Sequence, residues 1–306
     1  MPSPSVTAVV VTYNRLSLLR ECLAALKAQS VSPAAVLVVN NASSDGTREY
    51  LDDLASDRSP SVRVVHLDAN TGGAGGFAEG LRLAVASGIE WTWMMDDDAY
   101  PHPTALEELL KVAKSPGNVY GSLAVSGEKT SWATTLLDGN DVVGLVKEVP
   151  PAARVDSIPL LGFLIHRSLV ARIGYPDAAF FIAADDVEYC LRARRAGSDI
   201  VIAGKSRIEH PRTLLTEFRF LGLRVAYLSL PPWKRYYDTR NRLLIARKYH
   251  GIKLYSQTIP GSLLRLIAAM VKEPRKLAQL QAFLAGFADG MLNITGKRHE
   301  TWKIKP

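Results

Sequence analysis

The chain has 306 residues, 47% of them hydrophobic, enough for one large domain or one domain with an appendage. Two cysteines, Cys22 and Cys190, exclude a disulfide framework and point to buried thiols in a reducing compartment. The net charge of +7 is uneven: residues 207–306 hold 19 Lys/Arg against 6 Asp/Glu, whereas residues 1–206 hold 18 against 24. That basic third is expected to meet something anionic, and without a recognisable nucleic-acid module the partner is not nucleic acid. The N-terminal stretch lacks the basic flank and cleavage site of a signal peptide. No apolar run reaches about 18 residues, so no bilayer-spanning helix is expected.

In chain order, "SVTAVVVTYNR" is a β-branched run closing in a polar turn, and "LSLLRECLAALKAQS" carries apolar residues at helical spacing. "AAVLVVNNASSDGT" is a second buried strand, with Asp45 placed to cap the helix that follows. "VRVVHL" predicts a third strand, "GGFAEGLRLAVASG" a helix, and "EWTWMM" a fourth strand. This alternation predicts an α/β fold: a mostly parallel sheet flanked by helices, with ligands beyond the carboxyl ends of the strands. "NVYGSLAVS", "DVVGLVKEV" and "SIPLLGFLIH" are expected as further strands, antiparallel at an edge. "DDVEYCLRARRAG" is a helix, followed by the strand "SDIVIAG"; segments near 233–250, 259–272 and 275–293 are helical, separated by Pro260 and Pro274.

The polar clusters fall at the strand ends. Asp96, Asp97 and Asp98 follow the fourth strand, where adjacent like charges demand a positive partner. Asp96 and Asp98 at i, i+2 suit a hard divalent cation, Mg²⁺ or Mn²⁺; the plainer reading is a polar turn capping the next helix. "NTGGAGGFAEG" matches a dinucleotide fingerprint, but it follows the third strand instead of the first, so its glycines are read as opening a helix start to a ligand. Asp185, Asp186 and Glu188 cluster at a helix start, where one carboxylate suffices as a cap and an extra one invites catalysis. His210 becomes a metal ligand only where the fold brings it beside the aspartates.

The ordered set "VVVTYNR", "VVNNASSDGT", "NTGGAGGF", "MMDDDA", "ADDVEYCLRARRAG" and "EHP" resembles the family 2 glycosyltransferases of the GT-A fold, over about residues 6 to 215. Within it, "NTGGAGGF" and "MMDDDAYP" look most like bacterial galactofuranosyltransferases, and "YYDTRNRL" is similar to segments there and in rhamnosyltransferases. The resemblance implies a UDP-sugar held by Thr12, Tyr13, Asn14, Asn40, Asn41, Asn70 and Gly73, with Asp97 near the ribose or sugar. It implies Mn²⁺ or Mg²⁺ on Asp96, Asp98 and His210, and Asp186 as general base of an inverting transfer. Asn40 departs from the aspartate usual there and loses a charge-assisted bond.

The expected division is residues 1–215 as the GT-A domain and 216–306 as a basic helical region for an acceptor or membrane surface. Phe163, Asp185, Tyr236, Arg240 and Asn241 are candidate acceptor contacts. Arg235, Arg242, Arg247 and Lys248 join Arg240 as candidates for a lipid diphosphate or anionic head groups. The implied enzyme transfers galactofuranose to a polyprenyl-diphosphate-linked glycan from the cytoplasmic face of the membrane, as a peripheral protein. The alternatives are a rhamnosyltransferase using dTDP-rhamnose, and a non-catalytic glycan- or membrane-binding module on the same scaffold.

Overall fold

The structure, a computed structural model, describes residues 5–56, 62–212, 215–220 and 223–305. The chain divides into two compact units: Met1–Asp177 with Tyr189–Thr213, and Ala178–Glu188 with Leu214–Pro306. The second unit therefore takes in residues 178–188, and the division falls within the helix Asp185–Arg195.

The first unit is built on one sheet. Its parallel half runs β3 (Val62–His66), β2 (Ala35–Asn40), β1 (Val6–Thr12), β4 (Trp91–Asp96). Every residue of β1 is buried, because helices cover both faces. Val9 and Val11 pack with Phe77 and Leu81 of the helix Gly72–Ala86. Ala8 and Val10 pack with Leu19 and Cys22 of the helix Leu16–Lys27 on the other side. At Gly80 a Cβ would lie 2.4 Å from Val9 Cγ1, so this glycine serves close helix–sheet packing.

Beyond β4 the order continues through Phe163–His166, Val119–Ser126, Ile200–Glu209 and the short Tyr100–Pro101. Phe163–His166 is antiparallel to both neighbours, whereas Val119–Ser126 and Ile200–Glu209 are parallel. This corrects the expectation of an antiparallel edge: Val119–Ser126 lies inside the sheet, and seven of its eight residues are buried. Only the second half of "SIPLLGFLIH" is a strand. Val142–Leu145 pairs peripherally with Lys129–Thr135.

The second unit contains the hairpin Leu215–Phe220/Leu223–Leu228 and the helices Pro232–Ile245, Ile259–Lys272 and Lys276–Met291. Pro260 sits in the first turn of its helix, where a missing N–H costs nothing. No helix among the described residues is long and apolar enough to cross a membrane. Gly286 marks close approach between helices: a Cβ there would lie 2.4 Å from the Tyr236 carbonyl oxygen. Backbone cannot yield as a side chain does. Gly286→Ala should therefore cost about 1–3 kcal/mol or more by overpacking. Thermal unfolding checks this, and an unchanged midpoint would contradict the tight crossing.

Candidate active site

Three loops at the carboxyl ends of β1, β2 and β4 are tied together by side chains. After β1, Asn14 adopts φ 52, and its Oδ1 accepts a bond from the Ser44 N–H at 2.7 Å. Asp45 accepts from the Leu16 N–H at 3.1 Å and from the Thr47 hydroxyl at 2.5 Å, fixing the starts of two helices at once. The expected cap is present and also reaches across the sheet. Those bonds outweigh desolvation and hold the Asp45 carboxyl below its usual range.

Asn40 and Asn41 lie beneath the loops at the end of β2. Asn40 is fully buried; its Oδ1 accepts from the Ser43 N–H at 3.0 Å, and its Nδ2 lies 2.9 Å from His66 Nδ1. Asn41 is also buried and receives the Thr71 N–H at 2.8 Å while donating to the Gly72 carbonyl at 2.9 Å. Both side chains shape the loops from beneath. Asn70 accepts from the Gly72 N–H at 2.8 Å, and nothing lies within 4 Å of a Cβ built on Gly73, so the helix start is open there. Tyr13 is 43% exposed and Asn14 is exposed, so these two face solvent at the rim.

The aspartate triplet has a positive partner that sequence reasoning missed. Arg15 Nη1 lies 3.2 Å from Asp97 Oδ1 and 2.8 Å from Asp98 Oδ2. Its signal was the last letter of "TYNR", a cation on the loop beside the triplet's own strand end. Burial works against the Arg15 charge, but Asp97 and Asp98 outweigh it and push its pKa above the ordinary value. Asp97 is 3% exposed and also accepts from the Thr12 hydroxyl at 2.8 Å. Burial raises the Asp97 carboxyl despite those bonds, so at this residue desolvation wins over pairing. Asp97 and the buried Thr12 side chain thus brace the loop.

Asp98 and His210 come together: Asp98 Oδ1 lies 3.9 Å from His210 Nε2. Trp132 stands edge-on to the imidazole, with ring centroids 5.8 Å apart. His210 Nδ1 is buried with no hydrogen-bond partner among the described residues. Asp96 ends β4 half-buried, in register with Val11. No group of three or more His, Cys, Asp or Glu among the described residues is assembled as a metal cluster. The donor types nevertheless fit a hard divalent cation: carboxylate oxygens and an imidazole on adjoining loops. Cys22 and Cys190 are buried thiols outside any disulfide, and burial together with the aspartates drives the Cys22 thiol far up and leaves it inert.

The second unit presents the other carboxylates. Asp185 and Asp186 open a helix, and Asp186 Oδ1 accepts from the Val187 N–H at 2.7 Å. Burial, then mutual repulsion, pushes Asp185 up to about 7; burial likewise raises Asp186, with Arg242 opposing. Such a pair titrates as a unit. Just upstream, Phe181, Ala183 and Ala184 have φ of 66, 71 and 61, a left-handed run costly for non-glycine residues. Asn241 Nδ2 holds it by donating to the carbonyls of Ile182 at 2.9 Å and Ala183 at 2.7 Å. Arg240 donates to the Phe180 carbonyl at 2.8 Å.

The residues expected to contact the acceptor are held by contacts within the chain. Arg240 and Asn241 are fully buried clamps, and Tyr236 is fully buried with its hydroxyl on Asp289 at 2.5 Å. Phe163 is a core residue of the first unit, packed against Tyr189. Several basic residues here have partners within the chain, Arg235 from a buried position and Lys248 and Arg247 from exposed ones. Arg235 is buried on Gln279, and Lys248 pairs with the buried Glu188 at 2.8 Å. Arg247 donates to the Met291 carbonyl at 2.8 Å.

The parallel sheet, its carboxyl-end loops and the aspartates after β4 define a GT-A-type glycosyltransferase fold. Two solved structures share it: Staphylococcus aureus TarS 1–349 in complex with UDP-GlcNAc (TM-score 0.60, 16% identity, 95% of this chain and 81% of that one) and GalNAc-T7 with UDP, GalNAc and Mn²⁺ (TM-score 0.58, 13% identity, 100% of this chain and 59% of that one). The sequence model of glycosyl transferase family 2 matches residues 7–145. Galactofuranosyltransferase GlfT1 of Mycobacterium tuberculosis is 31% identical over 249 residues, covering 78% of this chain and 81% of its own. Undecaprenyl-phosphate mannosyltransferase of Micrococcus luteus is 34% identical over 131 residues, 42% of this chain and 53% of its own. The chain belongs to glycosyl transferase family 2 and is a glycosyltransferase similar to the galactofuranosyltransferases.

Proposed function

We infer that this glycosyltransferase inverts the anomeric centre as it transfers galactofuranose from UDP-galactofuranose to a polyprenyl-diphosphate-linked glycan. The observation that carries the reading is the 31% identity to galactofuranosyltransferase GlfT1 across 81% of its length. The lipid-linked acceptor is supported by the polyprenyl-phosphate substrate in the name of the mannosyltransferase. Tyr13, Asn14 and the open helix start at Gly73 receive the nucleotide; Asn40, Asn41, Thr12 and Asp97 hold those loops in shape. Asp96, Asp98 and His210 would hold Mn²⁺ or Mg²⁺, the former being the ion bound in GalNAc-T7. When bound, the cation neutralises charge on the departing diphosphate. A sugar hydroxyl is a weak nucleophile, and Asp186 takes its proton as attack proceeds. A single displacement inverts the centre.

Membrane association belongs to the same reading. Val271 and Leu277 are 55% and 83% exposed, and they flank the exposed Lys272, Arg275 and Lys276. Exposed apolar and cationic side chains together suit the surface of an anionic bilayer, which supports a peripheral position on the inner face of the cell membrane.

The test offers UDP-galactofuranose, UDP-galactopyranose and dTDP-rhamnose with a lipid-linked acceptor mixture, and reads product mass and linkage. A galactofuranosyl product from the first donor is expected. Rhamnosyl product alone would replace the donor assignment, and donor binding with no transfer to any acceptor would favour a binding module.

A further inference from the structure

Behind the loops that receive the nucleotide lies a chain of hydrogen bonds to which the reaction described above gives no role. Asn40 and His66 end two neighbouring parallel strands and stand in register. Asn40 Nδ2 lies 2.9 Å from His66 Nδ1, and His66 Nε2 lies 3.0 Å from Asp52 Oδ1 on the helix Thr47–Ser56. On its other side Asn40 Oδ1 accepts from the Ser43 N–H at 3.0 Å. The Ser43 hydroxyl in turn accepts from the Asn14 N–H at 2.9 Å. The chain thus runs from β3 through the loop after β2 to the loop after β1, all within the first unit.

One fixed point sets the donor and acceptor roles along it. A backbone N–H only donates, so the Asn40 atom facing Ser43 is its carbonyl oxygen. The amide nitrogen therefore faces His66, and it too only donates. His66 Nδ1 is then the acceptor, and the ring proton stands on Nε2, where Asp52 receives it. The other tautomer would set two N–H groups against each other, and a turned amide would set its NH₂ against the Ser43 N–H. Asn40 is fully buried, so a donor left unpaired there is costly. The Asn40–Ser43 bond also closes the turn that contains Ala42, held at a left-handed φ of 61.

We propose that His66 is a positioning residue for the donor nucleotide: its Nδ1 lone pair fixes the Asn40 amide and, through Ser43, the loop that meets Asn14. The nucleotide role rests on the function inferred above; the relay itself does not.

The experiment uses the full chain. Nitrogen NMR of the isotope-labelled imidazole reads the tautomer without any ligand, and His66 is expected with its proton on Nε2 and a bare Nδ1. UDP is then titrated by calorimetry with Mn²⁺ present, and donor KM and kcat are measured for transfer. His66→Leu removes the acceptor; it should weaken UDP by about fivefold or more, raise the donor KM and leave kcat near wild type. His66→Asn offers a carbonyl oxygen close to the place of Nδ1 and should return UDP affinity to within about twofold of wild type. The Ser43 amide-proton shift should move in His66→Leu and return in His66→Asn. A His66 proton on Nδ1 in wild type would overturn the relay, and that measurement holds even where a substitution impairs folding. Equal UDP affinity in wild type and His66→Leu would overturn the positioning role, as would a fall in kcat with donor KM unchanged. His66→Asn binding UDP as weakly as His66→Leu would mark a packing role and overturn it too. If wild type binds no UDP, the functional reading falls and takes the nucleotide role with it, while the tautomer and the Ser43 shift decide the relay by themselves.

Discussion

Asp186→Asn is expected to bind the nucleotide sugar nearly as wild type does and to lose transfer by a factor on the order of 10² or more. The amide keeps the shape and can still accept from the Val187 N–H, but it has no basicity. The loss should appear in turnover more than in donor affinity, because the nucleotide loops belong to the other unit. The pH profile supplies a second readout. Asp185 and Asp186 are both raised, Asp185 to about 7, by burial first. A base works only when deprotonated, so transfer should fall as pH drops through the pair's titration, nearer neutrality than for an ordinary carboxylate. If Asp186→Asn stays active while Asp185→Asn or Glu188→Gln is dead, the base is another member of the cluster.

Removing divalent metal should abolish turnover, and Mn²⁺ should restore it. Asp98 Oδ1 and His210 Nε2 lie 3.9 Å apart, and His210 Nδ1 is buried without a hydrogen-bond partner among the described residues. Asp98→Asn should weaken Mn²⁺ by more than tenfold, since a neutral amide is a poor ligand for a hard cation. Trp132 offers a readout independent of activity, because its ring faces His210. Paramagnetic Mn²⁺ should quench its emission, and the quench should disappear in Trp132→Phe. Full activity in excess chelator would sink the metal assignment.

The parallel half of the sheet was legible because each strand is a β-branched run closed by a polar turn, and burial on both faces leaves no other reading. The position of Val119–Ser126 was not. Its place inside the sheet depends on Phe163–His166 inserting beside β4, a pairing between strands far apart in sequence. In the site, Asp98 and His210 were readable as chemistry, but the distance between them is set by the long strand Ile200–Glu209. Arg15 was visible as a residue and invisible as a partner, because its loop meets the triplet only after β1 and β4 pair. The fate of individual cations in the basic third was illegible for a similar reason. Composition counts charges, and it cannot separate Arg240, clamped on backbone carbonyls, from Lys272 in solvent.

The left-handed run before Asp185 bears on how such enzymes can be recombined. Segment 178–188 and the residues that restrain it, Arg240 and Asn241, are distant in sequence and belong to one unit. A chimera that exchanges only the C-terminal third with a relative, crossing over near residue 216, would pair one enzyme's strained segment with another's restraints. The backbone would then be free to relax out of its unfavourable φ values, and the carboxylates would lose their presentation. Exchanges of the second unit within this family should therefore carry two crossover points, transplanting 178–188 together with the C-terminal helices.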